Sequence, residues 1–260
     1  MALRIAFDLD GVLADMDSEL VRHSQSLFGQ AVPRRPENDA AGLPPDGSQN
    51  QDTPASPATT SLDAPSLARL RLTSRQQQRL WRHIAAIENF WEGLQELEPG
   101  VVARLASVAM DRRWEIIFLT KRPESAGRTA QIQTQRWLES KGFPLPSVYV
   151  VQGSRGKIAA ALDLDIVVDD RPENCLDVAA DSRARAILVW RRDEKDLPAA
   201  ARRIGSGAVK SAAECLDVLT HLDAAGKDTP APANVADATK ITVYVTATGK
   251  KYHRPGCRSL

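Results

Sequence analysis

Acidic residues cluster at two points of this sequence where short apolar runs end. Leu3–Phe7 is followed by Asp8-Leu9-Asp10-Gly11, and Ile166–Val168 by Asp169-Asp170-Arg171-Pro172. A third such run, Glu115–Leu119, ends in Thr120-Lys121-Arg122-Pro123, and Lys157 follows a fourth, Val148–Val151. Carboxylates arriving from separate strands repel one another unless a cation intervenes. A hard divalent ion such as Mg²⁺ suits a few carboxylates together with phosphate oxygens. A hydroxyl (Thr120) and an ammonium (Lys157) supply the groups that would hold the other oxygens of a phosphate. A carboxylate can attack phosphorus, and a second carboxyl two residues on can protonate the leaving oxygen and later activate water. Each residue type has a job in phosphate-ester chemistry.

The apolar runs must be strands for this to work. Each is β-branched or apolar and too short for a helix; Ala186–Trp190 is a fifth. Between them lie segments of helical character. Val101–Met110 has helical spacing, Pro123 can open a helix that runs through Ile132, Trp137 and Leu138, and Lys157–Leu162 is Ala-rich. Ser211 and Glu214 form a capping-box pattern. Strand–helix alternation predicts an α/β, Rossmann-like parallel sheet with helices on both faces. Such sheets carry their sites at the carboxyl ends of the strands. With a period of two, Asp8 and Asp10 emerge on the same side as the first strand ends.

Residues 14–99 interrupt the alternation. Asp17–Phe28 and Ser74–Asn89 read as helices. Between them, residues 30–65 collect Pro, Gly, Ser, Thr, Asn and Asp with almost no large apolar side chains, a composition that predicts disorder. The expectation is a hydrolase domain over residues 1–222 with a small helical cap inserted after the first strand, then a linker at 223–240. A short basic segment at 241–260 follows, with Ile241–Thr246 reading as a strand. His253 and Cys257 have the spacing of half a zinc site, as in a truncated metal-binding module. The competing reading is a frayed basic terminus, since zinc takes four ligands.

The order Asp8-x-Asp10-Gly11, Leu119-Thr120, Lys157, Asp169-Asp170 resembles the four motifs of haloacid-dehalogenase-like phosphatases. Within them the chain is most similar to the pyrimidine 5′(3′)-deoxyribonucleotidases, through Phe90-Trp91, Leu97-Glu98-Pro99-Gly100 and the ending Asp169-Asp170-Arg171-Pro172. The likeness covers Leu3–Asp15 and Asn89–Trp190. It implies Asp8 as nucleophile and metal ligand, and Asp10 as acid/base and a metal ligand through its backbone carbonyl. It implies Thr120 and Lys157 on the phosphate, and Asp170 on Mg²⁺ with Asp169 beside it. Lys121, next to Thr120, joins the expected phosphate-binding set. The implied substrate is a small phosphomonoester, first a nucleoside monophosphate, held under the cap. The alternatives are sugar phosphates, nucleic-acid ends, or a low-turnover binding protein on the same fold.

Phe90 and Trp91 read either as cap core or as a platform for a base. Arg122 and Arg171 can reach an anionic substrate or pair with Glu124 and Glu173. The formal net charge of +1 gives no global case for binding nucleic acid or membrane. A nucleic-acid partner is expected only through the C-terminal segment. The three cysteines, Cys175, Cys215 and Cys257, are too few and too scattered for a disulfide framework. No signal-peptide pattern opens the sequence, and a cytoplasmic location is expected.

Overall fold

The structure is a computed structural model that describes residues 2–29, 72–199, 202, 207–228, 244–245 and 252–253. The insertion read at 30–65, most of the segment after 228, and Cys257 lie outside the described residues. These divide into two compact units, Met1–Leu219 and Thr220–Leu260.

In the first unit six strands build one parallel sheet: β1 (Arg4–Asp8), β2 (Glu115–Thr120), β3 (Ser147–Val150), β4 (Ile166–Asp169), β5 (Arg185–Val189) and β6 (Ala208–Val209). Their spatial order is β3-β2-β1-β4-β5-β6, so the winding direction reverses between β1 and β4. Open α/β sheets leave a crevice beyond the carboxyl ends of the strands at such a reversal. Register brings the two acidic strand ends level there: Phe7 lies opposite both Phe118 and Val168. Five strands match the apolar runs of the sequence. The two-residue β6 is an addition, too short to leave a periodic signal.

Alternation along the strands feeds two apolar layers. Phe7, Phe118, Val168 and Ile187 face one core. Ala6, Leu119, Val167 and Leu188 face the other. The described residues of this unit also form helices α1 (Met16–Phe28), α2 (Ser74–Ala85), α3 (Val101–Arg112), α4 (Ala130–Ser140), α5 (Arg155–Ala161) and α6 (Pro172–Asp181), and the start of α7 (Ala212–Asp228). α3 buries Val101, Val102, Leu105, Ala106 and Ala109, a stripe at helical spacing. α7 continues to Asp228, so the first residues of the stretch read as linker are helical.

α4 starts seven residues beyond the Pro123 start that the sequence suggests. The Pro123 carbonyl is taken by the Trp91 indole N–H at 2.9 Å. Thr129, not Pro123, caps the helix by accepting from the Ile132 amide.

Between β1 and α3, where the sequence suggests a cap, the described residues form α1, α2 and a 3-10 turn, Phe90–Gly93. Asp15 caps α1, and Thr73 with Gln76 forms a capping box on α2. His23 and His83 meet at 3.1 Å between the two helices. The two ends of this segment are tied together, with the Asp15 amide on Gln95 O at 2.9 Å and the Leu97 amide on Leu13 O at 2.8 Å.

In the second unit β7 (Tyr244–Val245) pairs antiparallel with β8 (Tyr252–His253), Tyr244 opposite His253. β7 falls inside the run read as a strand. Among the described residues no helix is long and apolar enough to cross a membrane. Cys175 and Cys215 are buried and free.

Candidate active site

The β1 and β4 ends place Asp8 and Asp169 in the crevice, both buried. Asp10 follows two residues on, and Asp170 lies against the loop at Gly11. An added Cβ at Gly11 would sit 2.2 Å from Asp170 Oδ2, and its φ is +91°, so only glycine suits this turn. Thr120, at the end of β2, is 1% exposed; its hydroxyl donates to Asp10 Oδ2 at 3.4 Å and accepts from the Arg122 amide at 3.3 Å. Five of the sequence-derived residues thus meet: Asp8, Asp10, Thr120, Asp169 and Asp170.

The cation at this site is a correction to the sequence reading. Lys157 is exposed. The residue that reaches Asp8 is Arg155, whose Nη2 donates to Asp8 Oδ1 at 2.5 Å and whose Nε lies 3.6 Å from Asp169 Oδ2. The reason is where α5 begins. Ser154 caps it, accepting from the Lys157 amide, so Arg155 is the first helical residue and Lys157 the third. Two residues are about 200° apart around a helix, so the two side chains leave on opposite sides. Asp177 on α6 fixes the start of α5 by accepting from Ser154 Oγ at 2.8 Å and the Gly156 amide at 3.0 Å. An added Cβ at Gly156 would lie 2.2 Å from the Asp177 carbonyl, so glycine lets the helices close up. Arg155 is 2% exposed, and among the described residues its Nε and Nη1 find no hydrogen-bond partner. Buried donors of this kind call for an acceptor.

A second guanidinium, to which the sequence alone gives no single role, also reaches the site. Arg122, 2% exposed, pairs with Asp10 rather than Glu124: Nε lies 3.1 and 3.0 Å from the two carboxylate oxygens, and Nη2 lies 2.7 Å from Oδ1. Lys121 is half-buried, and its charge helps hold the Asp177 carboxyl below its ordinary range against the effect of burial. Phe90 and Trp91 belong to the core: at 6% and 0% exposure neither offers a face to a base.

The stretch Leu97-Glu98-Pro99-Gly100 has a structural job. Glu98 accepts the Ala212 and Ala213 amides that start α7, at 2.8 and 2.9 Å, and pairs with Arg191 at 2.7 Å. Arg191 in turn donates to Val12 O at 3.0 Å. Burial favours the neutral acid, but these amides and Arg191 outweigh it and hold Glu98 below the usual carboxylate range.

Electrostatics test whether a divalent cation fits. Burial, then repulsion from Asp169, pushes the Asp8 pKa well up despite Arg155. Burial likewise raises Asp169. Burial and then the Asp169 charge push Asp170 up to about 8. The site is short of positive charge, which is what a bound cation supplies. Asp169 has both oxygens engaged by Asn174 Nδ2, at 2.9 and 3.0 Å, with the Arg171 amide also on Oδ1. Asp8 and Asp170 are therefore the better-placed ligands. Among the described residues no three acidic, imidazole or thiol groups form a ready-made metal cage. Mg²⁺ is commonly held by one or two carboxylates and substrate oxygens, so the residues fit it.

The two cations predict different outcomes on substitution. For any phosphomonoester the chain hydrolyses, Lys157→Ala should leave kcat/KM within about threefold, because a charge held in water acts only weakly on a buried site. Arg155→Met should lower it by about 10²-fold or more, because a buried charge-assisted contact is lost. Steady-state kinetics of both variants decide it; a larger loss in Lys157→Ala would restore the lysine to the site.

No protein-family profile matches the chain, and no curated protein sequence matches it. Solved structures do. A HAD-family hydrolase from Deinococcus radiodurans, solved with bound phosphate and sodium, superposes with a TM-score of 0.51 at 17% identity, over 88% of this chain and 99% of its own. A haloacid dehalogenase-like family hydrolase from Xanthomonas campestris gives a TM-score of 0.44 at 15% identity, over 88% of this chain and 99% of its own. The sheet order, the acidic ends of β1 and β4 at the reversal, and the likeness to the Deinococcus protein together show that this chain has the fold of the haloacid-dehalogenase-like hydrolases.

Proposed function

We propose that the chain is a Mg²⁺-dependent phosphomonoester hydrolase working through an aspartyl-phosphate on Asp8. The observation that carries this is Arg155: a buried guanidinium beside Asp8, with two donor nitrogens awaiting an acceptor. A phosphoryl group beside Asp8 would supply anionic oxygens to both.

The reaction divides into two displacements. An Asp8 carboxylate oxygen bonds to phosphorus, the phosphorus–ester oxygen bond breaks, and the leaving oxygen takes its proton from Asp10. A water oxygen then bonds to phosphorus, giving its proton to Asp10, while the bond to Asp8 breaks. Inorganic phosphate leaves and the Asp8 carboxylate is restored. Thr120 and Arg155 hold phosphoryl oxygens. Bound Mg²⁺ would offset charge on Asp8, Asp170 and the phosphoryl group.

For the substrate, a nucleoside monophosphate is the first candidate, on the strength of the nucleotidase likeness. Sugar phosphates and nucleic-acid ends are the comparison set. A panel of phosphomonoesters with Mg²⁺ or EDTA, run with Asp10→Asn beside the wild type, tests the reading. The expected result is Mg²⁺-dependent release of phosphate, highest on nucleoside monophosphates, and a loss of about 10²-fold or more in Asp10→Asn. Full activity in that variant would remove Asp10 from the chemistry, and no turnover across the panel would overturn the proposal.

A further inference from the structure

Arg122 is a buried charged group at this site that the two displacements do not use, and its surroundings are unusually complete. Nε and Nη2 grip the Asp10 carboxylate by a two-pronged contact, while Nη1 donates to Thr134 Oγ1 at 3.0 Å. The guanidinium lies 5.1 Å from the Trp91 ring centroid and 5.8 Å from that of Trp137. Both indoles are themselves pinned. Trp91 donates to Pro123 O at 2.9 Å and Trp137 to Leu94 O at 2.7 Å. Trp91 stands in the 3-10 turn where the cap returns to the sheet, and its amide donates to Gln133 Oε1 at 3.0 Å.

From this geometry we infer that Arg122 is a positioning residue: clamped by Trp91, Trp137 and Thr134, it fixes the Asp10 carboxyl group for proton transfer and ties that group's placement to the cap's return segment. The inference rests on the reaction proposed above. A free aspartate samples several rotamers, whereas a two-pronged guanidinium contact selects one. Each nitrogen of Arg122 already has a protein partner, Asp10 for Nε and Nη2 and Thr134 for Nη1. Arg122 acts through Asp10, and its removal should change turnover more than binding. Lysine keeps the charge but loses the planar fork.

Arg122→Lys is the decisive variant, since it leaves the buried charge balance intact; Arg122→Met is the harsher companion. The expected result for Arg122→Lys is a kcat on an alkyl phosphomonoester lowered about 10²-fold, the scale of a misplaced catalytic group, with KM within about threefold of wild type. With p-nitrophenyl phosphate, whose leaving group needs little protonation, the variant should show a burst of nitrophenol followed by slow turnover, because only the water step still needs Asp10. A merely structural loss would scale both substrates equally, without a burst, and would overturn the inference. So would a raised KM at unchanged kcat, which would place Arg122 on the substrate. A crystal structure of Arg122→Lys adds a readout independent of turnover: the Asp10 carboxyl should leave its wild-type rotamer, and an unmoved Asp10 would sink the inference. Should the wild-type protein hydrolyse no phosphomonoester, the proposed function fails while the rotamer still judges the clamp.

Discussion

Asp8→Asn should abolish turnover of any phosphomonoester the wild-type chain accepts, with kcat falling by about 10³-fold or more. The amide cannot serve as the attacking oxygen, yet it keeps a carbonyl oxygen where Arg155 Nη2 now donates. The fold should not suffer. Burial and the Asp169, Asp170 and Asp10 charges already disfavour an ionised Asp8 despite Arg155. A neutral isostere removes that repulsion, so thermal melting without divalent cations at neutral pH should occur at the wild-type temperature or above it. A labelled phosphoenzyme, trapped by acid quench in the wild type, should be missing from the variant. Retention of the label or of turnover would move the nucleophile elsewhere.

The second large effect concerns pH and metal. Asp170 rises from its ordinary 3.8 to about 8, through burial first and then the neighbouring Asp169 charge. The folded state therefore binds more protons than the unfolded state between about pH 4 and pH 8. Under proton linkage, stability without divalent cations falls as pH rises through this window. Asp8 and Asp169, raised in the same direction, add to the slope. Asp170→Asn should flatten it and stabilise the metal-free chain at pH 8 on the order of 2 kcal/mol, given about 1.4 kcal/mol per pKa unit and partial relief by solvent. Mg²⁺ should stabilise the wild type at pH 8 by mass action and do so far less in Asp170→Asn. Melting curves at pH 5 and pH 8, with EDTA or Mg²⁺, carry the test. Flat wild-type stability across that range, or an undiminished Mg²⁺ response in the variant, would refute the account.

The strands and their acidic ends were legible because side-chain alternation is local. Leu3–Phe7 and Ile166–Val168 declare themselves as buried strands whatever surrounds them, and β1 and β4 follow them within a residue. The helix starts were less legible. Pro123 has the right φ to open a helix, but Trp91 claims its carbonyl from across the fold. At α5 a start two residues earlier than the apparent one exchanges Lys157 for Arg155. Ser154, a good cap residue just ahead of Arg155, was the signal that could have found it. Glu98 looked like part of a family signature, and its service to the start of α7 appears only when residues 114 and 115 positions apart meet.

By itself the sequence determined the α/β class, the strand ends at which Asp8, Asp10, Thr120, Asp169 and Asp170 stand, and the kind of chemistry those residue types support. The tertiary structure alone decided which cations face them: Arg155 on Asp8 across 147 positions, Arg122 on Asp10 across 112. It also decided that Trp91 backs Arg122 and does not receive a base. Strand identity is written in a period of two along a few residues. A buried ion pair instead depends on where two distant backbones place their side chains, and on the desolvation that makes one partner necessary to the other.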